Sequence, residues 1–184
     1  MGLLTLRRAL RSAPLIFLLS VIAVGASAVD EEIPLEYQVK AAFVFNFARF
    51  VTWPAGAFAS ADSPLVIGLL GHGPLASALQ KTLDGKTVEG RPLSVKQVES
   101  AEGAHILVIS PAREDRLPDL LKPLVDRPVL TVSETKSFLK CGGMIRLGLV
   151  EDKVRFSINA AAVEKAGLTV SSQMLQYASP DPQL

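Results

Sequence analysis

Three short, almost wholly apolar runs constrain this chain most: Leu65 to Leu70 (LVIGLL), His105 to Ser110 (HILVIS) and Val129 to Val132 (VLTV). A strand with one wet face alternates apolar and polar residues. A strand that is apolar at nearly every position suits a sheet covered on both faces, the usual state of a parallel sheet between helical layers. The intervening segments fit that plan. Gly71-His72-Gly73-Pro74 follows the first run, then Leu75, Leu79 and Leu83 at helical spacing, closed by Asp84-Gly85. Residues 86–92 read as a loop, and Leu93 to Val98 alternates like an edge strand. A charged loop, Arg113 to Arg116, follows the second run and leads to a short helix over 118–126, limited by Pro118 and Pro123.

The pattern changes after residue 143. Met144 to Val150 and Lys153 to Ile158, joined by Glu151-Asp152, predict an antiparallel hairpin with Val154, Phe156 and Ile158 on one face. Asn159 is placed to cap a helix that Gly167 closes, and Ser171 or Ser172 to start a last one carrying Met174, Leu175 and Ala178. The expected fold is therefore α/β: a single compact domain with a mainly parallel central sheet, a C-terminal antiparallel hairpin and helices on both faces.

Ahead of the first strand, Tyr37 to Pro54 (YQVKAAFVFNFARFVTWP) holds four phenylalanines and the only tryptophan. Helical spacing puts Val39, Phe43, Asn46, Phe47 and Phe50 on one face, with Val44 and Phe45 well away from it. A helix apolar on most sides is expected to be buried on most sides, and Trp53-Pro54 is expected to stop it.

The first residues have the design of an export signal. Arg7, Arg8 and Arg11 precede an apolar stretch from Ala13 to Gly25, and Ala26-Ser27-Ala28 offers the small-x-small site of signal peptidase. As a helix, that stretch would span only about 20 Å, short of the hydrocarbon thickness. Residues 1–28 are read as a cleaved signal peptide ending at Ala28, with Val29 as the new N-terminus. Residues 29–178 form the domain and 179–184 a tail. Removing the signal takes three arginines and leaves 16 basic against 18 acidic residues, a net charge near −2. A near-neutral domain lacks the basic footprint that nucleic-acid binding needs.

Candidate sites are few. Gly71 to Ala76 (GHGPLA) matches the letters of a dinucleotide fingerprint, and Glu89 lies where a ribose-binding acid would be wanted. However, Glu89 falls in a loop, and Pro74 removes an N–H from the helix start. Gly71, His72 and Gly73 are kept as a candidate ligand or anion loop, and no cofactor is assigned. His72 and His105 lack partners at ligand spacing, so no metal is expected. Nothing orients Cys141 against either histidine, and no catalytic residue is assigned. As the only cysteine, Cys141 is either an apolar filler or the seat of an intermolecular disulfide that would make a homodimer. Arg49, Arg146 and Arg155 lie beside apolar runs, either as ordinary surface residues or as guanidinium groups offered to a partner.

Taken in order, YQVKAAFVFNFARFVTWP (37–54), LVIGLLG (65–71), HILVIS (105–110), VLTVSE (129–134) and GGMIRLGLVEDKVRFSINAAAVEKAGLTVSSQMLQYA (142–178) resemble the YfiR-like family of periplasmic proteins. The resemblance implies a compact α/β regulator without catalytic activity, located in the periplasm. Its partner would be the sensory region of an inner-membrane signalling protein, foremost a diguanylate cyclase, held inactive so that cyclic di-GMP and biofilm stay low. Histidine-kinase receptors are the other implied output. Relatives under redox control carry cysteine pairs, which a single cysteine cannot form. The interface is expected to use apolar surface left by the first helix, such as Phe45, and the hairpin edge near Arg146 and Arg155. A periplasmic small-ligand binding protein is the alternative, with its site at the C-terminal strand ends near Gly71 to Gly73 and Ser110.

Overall fold

The computed structural model describes residues 32–180. The expected signal peptide, its Ala28/Val29 cleavage site and the last four residues of the tail lie outside these. Within them the chain forms α1 (Leu35–Phe50), β1 (Val51–Thr52), β2 (Leu65–Leu70), α2 (Pro74–Leu83), β3 (Thr87–Val88), β4 (Arg91–Val98), β5 (Ile106–Ile109), α3 (Leu117–Leu121), β6 (Leu130–Ser133), β7 (Ile145–Val150), β8 (Lys153–Ile158), α4 (Ala160–Lys165), β9 (Thr169–Val170) and α5 (Ser172–Tyr177).

Seven strands make the main sheet in the order β3-β4-β2-β5-β6-β7-β8. β4, β2, β5, β6 and β7 are mutually parallel, while β3 and β8 run antiparallel at the two ends. This is the α/β architecture expected from the apolar runs. Their inward and outward residues serve two cores. Ile67, Leu69, Ile106, Val108, Leu130, Val132, Ile145 and Leu147 face α1 and α2. Leu70, Leu107 and Ile109 face α3 and the turn bearing Phe138 and Leu139. Each large side chain so buried contributes about 1.5–3 kcal/mol. Gly143 is required by close approach, because a Cβ there would overlap the fully buried Phe138 ring.

The first helix is rotated relative to the expected face. It buries Lys40, Ala41, Val44, Phe47 and Ala48, whereas Val39 is exposed. Val44, expected to point away, is completely enclosed. Apolar residues all round the helix blur its periodicity, and packing turns the side bearing Ala41, Val44, Phe47 and Ala48 inward. Phe47 in the seam and Phe43 beside it meet Phe156 of β8, with ring centroids 5.2 and 5.4 Å away. Phe45 and Phe50 are half-buried against the same core.

Three local expectations are corrected. The helix ends because Val51 becomes extended and pairs with Val170 in a separate two-stranded ladder, a long-range contact just ahead of Trp53-Pro54. Residues 86–92 are the β3–β4 hairpin, with Glu89 and Gly90 at φ 49° and 82° in its turn. The charged loop after β5 is a 3₁₀ turn, Pro111–Arg116, that runs into α3 and a second 3₁₀ turn, Lys122–Leu124, because Pro111, Pro118 and Pro123 interrupt regular helix. The later caps form as expected: the Asn159 side chain accepts the Ala162 N–H and the Ser171 hydroxyl that of Met174, at 3.1 and 3.2 Å.

Candidate functional site

β2 and β5 lie side by side, but their exits diverge. β2 leads through Gly71 to α2 on one face, and β5 through Ser110 to α3 on the other. Such divergence opens a crevice at the carboxyl ends of parallel strands. Here it measures about 260 Å³, lined by Gly71 to Ala76, Val108 to Ala112, Tyr37 and Glu134. That is smaller than the usual drug-sized pocket.

The loops around it are tied to each other. Ser110 Oγ donates to the His72 carbonyl at 2.7 Å, and Gln97 Nε2 donates to the Gly71 carbonyl at 2.8 Å. Gly71 has φ +93°, and a Cβ on it would stand 2.9 Å from Ser110 Cβ. The His72 side chain is exposed. Glu89, the acid of the sequence fingerprint, is in the β3–β4 turn and does not line the crevice.

One wall carries an ion network that the sequence reading missed. Lys40, 4% exposed, reaches Glu134 at 2.5 Å and also binds Glu36. Glu36 and Lys40 are i, i+4 neighbours on a helix, a signal legible in the sequence. Glu134 lies 94 residues away and could not be paired with them. Burial alone pulls the Lys40 ammonium down, but hydrogen bonds to Glu134 and Glu36, with their charges, outweigh it and raise its pKa. The Tyr37 hydroxyl is also pushed up, first by burial and then by the charge of Glu134.

His105 lies at the opposite, amino-terminal end of β5. Nδ1 accepts the Val66 N–H at 3.0 Å, and Nε2 lies 3.1 Å from the Ala57 carbonyl, so the neutral ring carries its proton on Nε2. Its face stacks on Phe58 at 4.3 Å, and Arg91 covers that phenylalanine. Burial lowers the His105 pKa. This imidazole pins the 53–63 loop through Ala57 and Phe58. Cys141 is half-buried against the Phe138–Leu139 core. Among the described residues no group of three histidines, cysteines or acids could hold a metal.

The four residues considered for a partner interface do not share a surface. Phe45 is half-buried on α1, and Arg49 is exposed at its last turn, 5.5 Å from the Phe50 ring. Register pairs Arg146 with Ser157 and Gly148 with Arg155, which puts both hairpin arginines on one face. α1 covers the other face, that of Leu147 and Phe156. Among the described residues the exposed large apolar side chains are Leu35 (73%) and Val39 on α1, Val125 after α3, Leu149 (50%) and Val150 (49%) at the hairpin tip, and Leu175 and Tyr177 (69%) on α5. A cavity of about 160 Å³ lies between α1, β8 and α5, lined by Phe43, Phe47, Phe50, Phe156, Met174 and Tyr177.

No helix among the described residues is long and apolar enough to cross a membrane. A family model described as YfiR/HmsC-like matches residues 37–179, most of the chain. No curated protein matches it.

Proposed function

The chain belongs to the YfiR/HmsC-like family, whose members are periplasmic regulators of diguanylate cyclases rather than catalysts, and from this we propose that it is a periplasmic negative regulator of an inner-membrane signalling protein. In this reading the chain is exported, cut after Ala28, and binds the partner's sensory region. The partner is a diguanylate cyclase, and holding it inactive keeps cyclic di-GMP and biofilm low. The observation that carries the proposal is the match over residues 37–179. The exposed apolar side chains of α1, the hairpin tip and α5 support it, since a protein-binding surface needs such groups.

Repression requires differential affinity: the regulator must bind the inactive receptor more tightly than the active one. The test is deletion of the gene with quantification of cyclic di-GMP and surface attachment. Deletion is expected to raise both, and a plasmid copy to restore them. An unchanged nucleotide level would reject the cyclase as target. Crosslinked capture from intact envelopes then identifies the receptor by its cyclase or kinase output.

The crevice beside Gly71, His72 and Gly73 supports a second reading, a small-ligand binding protein that feeds a membrane receptor. A ligand that binds only the folded state must raise the melting temperature, so a metabolite thermal-shift screen tests it. An intermolecular Cys141 disulfide would make a homodimer, which non-reducing electrophoresis detects.

A further inference from the structure

Residues 53–64 join β1 to β2 without helix or strand. Such a segment has no ladder of its own and stays in place through the side chains that reach it. Among the described residues, two side chains from the sheet are found bonded to its backbone. Arg91 Nη1 donates to the Ser60 carbonyl at 3.3 Å and also to the Ser63 carbonyl. His105 Nε2 donates to the Ala57 carbonyl at 3.1 Å. The same two groups hold Phe58 between them. The imidazole stacks on the phenyl ring with centroids 4.3 Å apart and 16° between planes, and the Arg91 guanidinium carbon lies 3.9 Å from the phenyl centroid. At such distances both cannot fit on one side, so they take opposite faces. Trp53 meets this stack edge-on, 6.1 Å from Phe58, and its indole N–H donates to the His105 carbonyl at 3.3 Å.

The second ring nitrogen makes the clamp sensitive to acid. Nδ1 accepts the Val66 N–H at 3.0 Å. An imidazole accepts there only while neutral, because both nitrogens of the imidazolium are donors. A second proton would therefore set two N–H groups against each other in a half-buried site. A phenyl face attracts a cation, but the far face of Phe58 already holds Arg91, so two positive charges would confront each other across one ring. Carboxylates do not offset them. β2, β5 and β6 carry no charged side chain, and Asp62 of the loop, Glu89 of the β3–β4 turn, Glu102 ahead of β5, and Asp126 and Arg127 ahead of β6 are exposed. Burial lowers the ring's pKa from the ordinary 6.5; the Ala57 bond offsets part of this, and the charge of Arg91 adds to it.

We propose that residues 53–63 form an acid-released latch: protonation of His105 breaks its bond to Val66 and frees the loop, uncovering Phe58 and Trp53 while the sheet stays folded. The Val66 bond lies just ahead of the first β2–β5 pair, Ile67 with Ile106, so its loss leaves that ladder intact. Once released, the ring titrates at its ordinary 6.5. Closure is therefore whole above that pH and weakens as pH falls toward the folded pKa, about tenfold per pH unit within that window. The latch stands independently of the regulator reading.

The test is a titration of the exported protein from pH 8 to pH 4 without denaturant. Trp53 is the only tryptophan, and His72→Gln leaves His105 as the only histidine, so each signal has one source. Imidazole NMR is expected to show the Nε2–H tautomer and a midpoint below 6.5. As His105 titrates, acrylamide quenching of Trp53 is expected to rise at least twofold and the protection factor of the Val66 amide to fall about tenfold, with far-UV circular dichroism unchanged. His105→Asn, whose side-chain oxygen accepts an N–H at any pH, is expected to lose both responses. The proposal is overturned if His105 titrates with neither signal moving, if circular dichroism is lost in step with them, or if His105→Asn responds as wild type does. Should the asparagine variant not fold, Arg91→Gln decides: removing the opposing cation is expected to raise the His105 midpoint, and an unmoved or lowered midpoint overturns the proposal.

Discussion

Replacing Lys40 with Met tests whether the buried ion network holds α1 to the sheet. Lys40 is 4% exposed and bridges Glu36 in its own helix to Glu134, just beyond the end of β6. Removing one member of a buried pair costs about 3–5 kcal/mol, because the other charge stays without compensation. Here the Glu36 and Glu134 side chains keep 34% and 16% exposure, so water recovers part of that, and a loss of about 2–3 kcal/mol is expected. In a domain of this size that lowers Tm by roughly 4–12 °C. The assay is urea denaturation of wild type, Lys40→Met, Glu134→Gln and the double variant. A coupling of about 1–2 kcal/mol is expected, with the double variant more stable than the sum of the single losses predicts. The folded Lys40 pKa is raised above the ordinary 10.5. Its stabilisation is therefore complete below that value and is lost as pH rises through the folded pKa, a decline that Lys40→Met should lack. A single variant within 0.5 kcal/mol of wild type, or strict additivity, would refute the reasoning.

Further outcomes follow from particular geometries. Glu151 and Asp152 occupy the hairpin turn at φ 50° and 57°, a conformation that suits asparagine and glycine, so Glu151→Asn with Asp152→Gly should stabilise by about 1–2 kcal/mol in chemical denaturation. Gly143→Ala would press a methyl into the Phe138 ring, and a loss of about 1–3 kcal/mol is expected by the same measurement. Because burial depresses the folded His105 pKa below 6.5, its contribution is whole above that pH and is lost as pH falls through the folded pKa. Trp53 donates to the His105 carbonyl at 3.3 Å, so tryptophan fluorescence during denaturation at pH 8 and pH 5 should report this loss, and His105→Ala should flatten it.

Local chemistry in the chain was enough to determine much of this protein. Continuous apolar runs fit only strands covered on both faces, which predicted the parallel sheet before any pairing was known. Asn159 and Ser171 cap helices by reaching an N–H three residues on, so their role is readable from the nearby sequence alone. The crevice loop was legible as Gly71-His72-Gly73, since glycines between a strand and a helix permit a tight exit. Tertiary structure decided what depends on distant partners. The buried side of α1 was ambiguous because apolar side chains surround it, and contact with Phe156 and the sheet selected Val44 for the seam. Val51 became a strand residue only because Val170 is there to pair with it. Glu134 joined Lys40 across 94 residues, and the two hairpin arginines proved to lie on the sheet face opposite α1. Propensities, caps and turns act over a few residues, whereas ion pairing, face selection and edge exposure depend on which segments the folded sheet brings together.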